Sequence, residues 1–209
     1  MPLFKTINHD AQTKIFVWKI TESYQELASQ VVLQSINLLR ISTMKSEIHQ
    51  RAFLSVRKLL QQVNLSDSDL IYDETGKPSL KTGQFISISH SHQFATIIIS
   101  NQKVGIDIEQ QRDKIIKIAD KFSVESLNTK SGQNYIRKLT VLWGAKEAIF
   151  KIKNEKGISF KDHIIVQPFK LNQKQTQATL NFNSKIENFE IHYHEIENYT
   201  LVYVLQGLF

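Results

Sequence analysis

Two amphipathic helical patterns, each accompanied by β-rich runs, constrain most strongly what this chain can fold into. In the first, at 46–63, apolar residues recur at spacings that place them on one side of a helix. The second, at 133–153, has a stripe of apolar residues at spacings of three and four. The members of the two stripes are Ile48, Ala52, Val56, Leu59, Leu60 and Val63, and Leu142, Ala145, Ile149 and Ile152.

A loose β, α, β order occurs in each half of the chain, and it predicts an α+β (α/β) fold. We expect two similar subdomains, 1–104 and 105–209, related by pseudo-twofold symmetry. Each would pack a small antiparallel or mixed sheet on a long helix, with a site at their interface. Three consecutive β runs, at 85–89, 95–100 and 104–109, are predicted to form a meander, and the last two runs of the chain resemble a hairpin.

Composition excludes several kinds of site. With no cysteine in 209 residues, disulfides, thiolate zinc sites and a cysteine nucleophile are ruled out. No apolar run approaches the roughly 20 residues that span a bilayer, and the N-terminus lacks a signal-peptide core, so we expect a cytoplasmic protein with no membrane contact. The net charge is +6, and residues 110–161 hold 12 Lys or Arg against 5 Asp or Glu. Such a basic region attracts phosphates, nucleic acid or an acidic protein, although a solvated basic face accounts for it as well.

The run at 104–109 contains the first candidate site. In an extended strand Asp107 and Glu109 project from the same face, while Ile106 and Ile108 point into the core. Two carboxylates on one face suit a hard divalent cation, and Gly105 would allow a ligand to approach. A solvated acidic strand face is the common alternative.

Further polar residues lie on the helices and at strand ends. Arg51 and Arg57 lie off the first apolar stripe, where they are either surface cations or a phosphate clamp. Glu147 and Lys151 lie four residues apart on the far side of the second stripe, a spacing typical of an exposed helix ion pair. His90 is expected at the end of a strand.

Four motifs occur in order along the chain. They are Gly76-Lys77-Pro78, Ile88-Ser89-His90-Ser91, Gly105-Ile106-Asp107-Ile108-Glu109 and Trp143-Gly-Ala-Lys146-Glu147-Ala148-Ile-Phe-Lys151. In order and spacing they resemble the Sfp-type 4'-phosphopantetheinyl transferases of the holo-carrier-protein synthase superfamily. One segment departs from that family pattern, since residues 121–126 lack its Pro and its second acid. Ser123 is nevertheless predicted to cap a helix there.

The resemblance implies a magnesium-dependent enzyme, with Mn²⁺ as a possible substitute. It would transfer the phosphopantetheine arm of coenzyme A to a serine of an apo acyl or peptidyl carrier protein and release adenosine 3',5'-bisphosphate. By similarity Asp107, Glu109 and Glu147 would be the metal ligands, and Asp107, Glu147 and Lys151 the catalytic residues. The residues implied in coenzyme A binding are Arg51, Arg57, Lys77, Pro78, Ser89, His90 and Lys151, with Lys45 as an additional candidate for the 3'-phosphate.

The basic span 110–161 would then dock the acidic carrier protein. We expect a monomer that binds no nucleic acid. Two other functions remain open on the sequence alone. One is a non-catalytic basic module that binds nucleic acid or an acidic carrier protein, and it offers no reason for three carboxylates to converge. The other is a metal-dependent nucleotide phosphohydrolase, which would activate water in place of the carrier serine.

Overall fold

The computed structural model describes residues 3–123 and 132–207. Its contacts divide the chain into two compact units, Met1–Asn101 and Gln102–Phe209. In each unit an antiparallel sheet packs against a helix, so the predicted α+β fold class is confirmed. The pseudo-twofold relation between the halves stays a prediction. No helix in the described ranges is both long and apolar enough to cross a membrane.

The first unit contains a four-stranded and a two-stranded antiparallel sheet. Its elements are β1 (Leu3–Asn8), β2 (Lys14–Lys19), α1 (Tyr24–Ser29), α2 (Ser35–Ser42), α3 (Glu47–Gln61), β3 (Leu70–Tyr72), β4 (Pro78–Leu80), β5 (Phe85–Ser91) and β6 (Phe94–Ser100). The larger sheet has the order β1-β2-β6-β5, and β3 pairs with β4.

Helix α3 forms the core of this unit with the larger sheet. Its apolar residues from Ala52 onward pack with side chains of β2, β5 and β6, which confirms most of the predicted stripe. Ile48 is the exception, because it lies in the first turn of α3 and is 49% exposed. The helix therefore buries its apolar face over the last three turns, and the side chains of its first turn reach solvent.

The second unit is built on one five-stranded antiparallel sheet. Its elements are β7 (Val104–Gln110), α4 (Lys114–Lys117), α5 (Gln133–Lys153), β8 (Ile164–Val166), β9 (Gln175–Phe182), β10 (Lys185–Ile196) and β11 (Tyr199–Gln206). The strand order is β7-β11-β10-β9-β8. One face of α5, including Ala145, Ile149 and Ile152, packs on this sheet as its stripe predicted, with Leu142 only partly buried.

The predicted meander is wrong at its third strand. β5 and β6 pair as expected, but the second edge of β6 pairs with β2, and β7 pairs with β11 instead. All seven residues of β6 are buried, so both faces of this strand are covered. Sequence proximity alone cannot reveal that β2 takes this edge. The predicted terminal hairpin is confirmed as β10 and β11. The helix predicted to begin after Ser123 falls in 124–131, outside the described residues.

Candidate active site

The acidic face of β7 is the foundation of the site in the second unit. Alternation buries Val104, Ile106 and Ile108 on one side, and Asp107 and Glu109 project from the other. Asp107 is only 4% exposed, while Glu109 is half-buried. A strand that buries one of its two acids so deeply must provide that acid with compensating partners.

Helix α5 approaches β7 closely because Gly105 has no side chain. A Cβ atom at Gly105 would lie 2.0 Å from the carbonyl oxygen of Ala148, well inside van der Waals contact. One turn earlier, a Cβ atom at Gly144 would lie 2.8 Å from a methyl group of Val202 and 3.6 Å from Oδ2 of Asp107. The two glycines therefore set the distance between α5 and the acidic strand.

Lys151 connects α5 to that strand. Its Nζ donates to Oδ1 of Asp107 at 2.8 Å and to the carbonyl oxygen of Ile106 at 2.9 Å. The periodicity of α5 suggested an exposed ion pair between Glu147 and Lys151, but the nearly buried carboxylate of Asp107 is the partner of Lys151. This pair compensates part of the cost of burying Asp107, since a buried charge is stable only when it is paired.

Glu147 lies in an acidic, half-buried environment on the same helix. Its pKa is raised from 4.5 to about 7, mainly by burial and then by the negative charges of Asp107 and, to a smaller extent, Glu109, while Lys151 opposes the rise. The electrostatic coupling shows that α5 brings Glu147 close to the acids of β7. The second unit thus gathers three carboxylates and one lysine from two elements far apart in sequence.

The donor chemistry of this cluster suits a hard divalent cation. Carboxylate oxygens are the ligands that Mg²⁺ prefers, and a cation would relieve the repulsion that raises the pKa of Glu147. In the arrangement described for 3–123 and 132–207, however, no group of three or more His, Asp or Glu side chains is placed to hold a metal ion. The Lys151 ammonium supplies the positive charge next to Asp107.

Lys146 has a role that the sequence did not reveal. It is 4% exposed, and its ammonium donates to the carbonyl oxygens of Phe160 and, at 2.6 Å, Ile164. Burial lowers the pKa of this lysine to about 8. It therefore ties the middle of α5, next to Glu147, to the connection that leads into β8. The one sequence signal for this burial was the position of Lys146 directly after Ala145, a residue of the buried apolar stripe.

In the first unit, the prediction that Arg57 clamps a phosphate is corrected. The Arg57 side chain is 2% exposed, and its Nε donates to Oδ1 of Asp67 at 2.8 Å. Its guanidinium also lies 3.5 Å from the ring centroid of Phe53. Asp67 accepts further hydrogen bonds from Asn37 and from the backbone N–H of Gln34. Arg57 is therefore part of a buried structural network and is not presented to a ligand.

The other predicted coenzyme A residues of this unit occupy varied positions. Arg51 is half-buried and donates to the carbonyl oxygen of Ile20 at 3.3 Å. Lys77 is half-buried in the turn before Pro78, where β4 begins, and Ser89 is buried. His90 is exposed near the end of β5. His90 is therefore exposed to solvent, whereas the Arg51 side chain is engaged in a hydrogen bond to the backbone.

Comparisons with known proteins find matches that include the region of this site. Residues 103–204 match the family model of the 4'-phosphopantetheinyl transferase superfamily, and they include β7 and α5 with their carboxylates. The 4'-phosphopantetheinyl transferase gsp of Aneurinibacillus migulanus is 31% identical over 150 residues, which cover 68% of this chain. The chain spans 61% of the length of that curated relative. On this evidence the chain belongs to the 4'-phosphopantetheinyl transferase superfamily.

Proposed function

We propose that this protein transfers the 4'-phosphopantetheine arm of coenzyme A to a serine hydroxyl of an apo acyl or peptidyl carrier protein. The observation that carries the proposal is the cluster of Asp107, Glu147 and Lys151, held by β7 and α5 within the span that matches the superfamily. A basic binding module would have no use for such a cluster, because carboxylates repel phosphate unless a cation intervenes.

The reaction is a phosphoryl transfer. The carrier serine oxygen bonds to the phosphorus that carries the pantetheine arm, the bond from that phosphorus to the pyrophosphate bridging oxygen breaks, and adenosine 3',5'-bisphosphate leaves with the electron pair. Glu147 is the proposed acceptor of the serine proton, directly or through a water. Lys151, one turn later, would donate to a phosphate oxygen or hold a neighbouring carboxylate in place.

Asp107, Glu109 and Glu147 are the residues proposed to hold Mg²⁺, with Mn²⁺ as a substitute. When bound, such an ion would neutralise charge on the pyrophosphate oxygens during transfer. The carboxylates of Asp107 and Glu147 are coupled electrostatically, and Lys151 is paired with Asp107, so binding of the ion would require the three carboxylates to rearrange and the contact between Lys151 and Asp107 to change. The protein residues do the remaining work of positioning the two substrates.

The partners follow from the same proposal. The basic span 110–161 would attract the acidic surface of a carrier protein, and Lys77, Pro78, Ser89 and His90 would contact coenzyme A. Arg51 and Lys45 stay in the proposed 3'-phosphate set, from which Arg57 is now removed. A cytoplasmic, monomeric enzyme remains our prediction.

Activity is tested by incubating the protein with coenzyme A, Mg²⁺ and apo carrier proteins from fatty-acid, polyketide and peptide synthesis. We expect at least one carrier to gain the mass of a single phosphopantetheine. Asp107→Ala should abolish the gain, because it removes both a metal ligand and the partner of Lys151. Glu190→Ala is the matched control, since β10 directs Phe189 and Ile191 toward α5 and Glu190 away from it. No mass change with any carrier would refute the proposal.

A further inference from the structure

Two histidines of the first unit lie side by side, and only one of them belongs to the predicted site. His49 lies in the first turn of α3, and His90 lies in β5. Their ring centroids are 6.1 Å apart with an angle of 50° between the ring planes, and both residues are exposed. The two histidines are 41 positions apart in sequence, so the sequence alone did not connect them.

We propose that His49 binds a phosphate group of coenzyme A together with His90. The inference rests on the proposed function, and it adds a ligand-binding residue to it. It also changes how the first unit would hold phosphate, because the buried Arg57 cannot take part. The exposed pair of His49 and His90 would bind phosphate where the sequence analysis had suggested Arg57.

The geometry of the pair suits an anion between the rings. A single oxygen that accepts hydrogen bonds from two imidazole N–H groups holds the two nitrogens about 5 Å apart. Ring centroids 6.1 Å apart are compatible with that separation. A charged imidazole donates through both nitrogens, and its hydrogen bonds to phosphate are stronger than those between neutral groups.

Both rings are carried by rigid elements. Helix α3 buries Ala52 and Val56 in the core of the first unit, and β5 contributes Ile86 to the same core. A pair held in this way loses little conformational freedom when a ligand arrives, which favours binding. The exposure of both rings leaves them accessible to a ligand from solvent.

The alternative is that the two rings only pack against each other. His49→Phe separates the two explanations, because phenylalanine keeps an aromatic ring and removes both ring nitrogens. His49→Gln restores one donor without the ring. The matched control is His92→Asn, which removes an exposed imidazole from the turn after β5. The backbone of His92 has a φ of 47°, a conformation that asparagine tolerates.

Calorimetric titration of the full chain with coenzyme A and with dephospho-coenzyme A tests the inference. We expect His49→Phe to weaken coenzyme A binding about tenfold, the effect of losing one hydrogen bond to a charged group. His49→Gln should lose less, and His92→Asn should match the wild type. A loss confined to coenzyme A assigns the pair to the 3'-phosphate, whereas equal losses for both ligands assign it to the pyrophosphate.

Two negative results are distinguishable. If the wild type binds coenzyme A and His49→Phe binds it equally well, with an unchanged melting temperature, the inference about His49 is wrong and the proposed function stands. If the wild type neither binds coenzyme A nor modifies any carrier, the proposed function itself fails, and the assignment of the histidine pair fails with it.

Discussion

Replacing Glu147 with glutamine should change how the stability of the protein depends on pH. Burial and the neighbouring acids raise the pKa of Glu147 from 4.5 to about 7 in the folded chain. Since the folded pKa lies above the unfolded one, the proton stabilises the fold below pH 4.5, and this contribution is lost as pH rises to about 7. The shift from 4.5 to about 7 corresponds to about 3 kcal/mol, which partial exposure reduces to about 2 kcal/mol.

Urea unfolding at pH 5 and pH 8, with a chelator present, measures this effect. The wild type loses stability as Glu147 ionises, whereas glutamine cannot ionise. The free energy of unfolding of Glu147→Gln, relative to the wild type, should therefore be about 2 kcal/mol higher at pH 8 than at pH 5. Glu190→Gln, on the sheet face away from α5, should show no such gain. In buffer without chelator at pH 8, added Mg²⁺ should stabilise the wild type more than Glu147→Gln. An equal difference between wild type and Glu147→Gln at both pH values would refute our description of this acidic environment.

Two other substitutions test the packing around the proposed site. Gly105→Ala should lower the free energy of unfolding by about 3 kcal/mol or more in urea titrations, because the new Cβ atom would overlap the carbonyl oxygen of Ala148. Gly144→Ala should cost less, since its nearest contact is a side-chain methyl group that can shift, and equal losses would contradict the packing described. Arg57→Leu and Asp67→Leu should each cost about 3–5 kcal/mol, because each leaves a buried charge. The double variant should be more stable than either single variant, and coenzyme A affinity in the double variant should equal that of the wild type; a large loss of affinity would restore Arg57 as a ligand contact.

The acidic face of β7 could be predicted because strand alternation is local. Asp107 and Glu109 share a face in any extended segment, whatever the strand pairs with. The partner of Lys151 could not be predicted in this way. Helical spacing connects Lys151 only with residues of its own helix, whereas its contact with Asp107 depends on α5 packing on β7 at Gly105.

Arg57 shows the limit of periodicity in another way. An arginine off the apolar stripe of α3 is expected at the surface, and its burial depends on Asp67, which lies beyond the end of the helix. The same limit applies to His49, whose proximity to His90 requires the packing of α3 against β5. Local patterns predicted the elements and the acidic pair, and the long-range contacts determined which charged side chains are available to a ligand.

Mass spectrometry of an apo carrier protein after incubation with this protein, coenzyme A and Mg²⁺ tests the central claim most directly. We predict that one phosphopantetheine is attached to a single carrier serine, with one adenosine 3',5'-bisphosphate released for each arm transferred. Asp107→Ala should give no product, and Glu190→Ala should match the wild type. Unmodified carriers from all three pathways, or release of nucleotide without carrier modification, would contradict the transferase function.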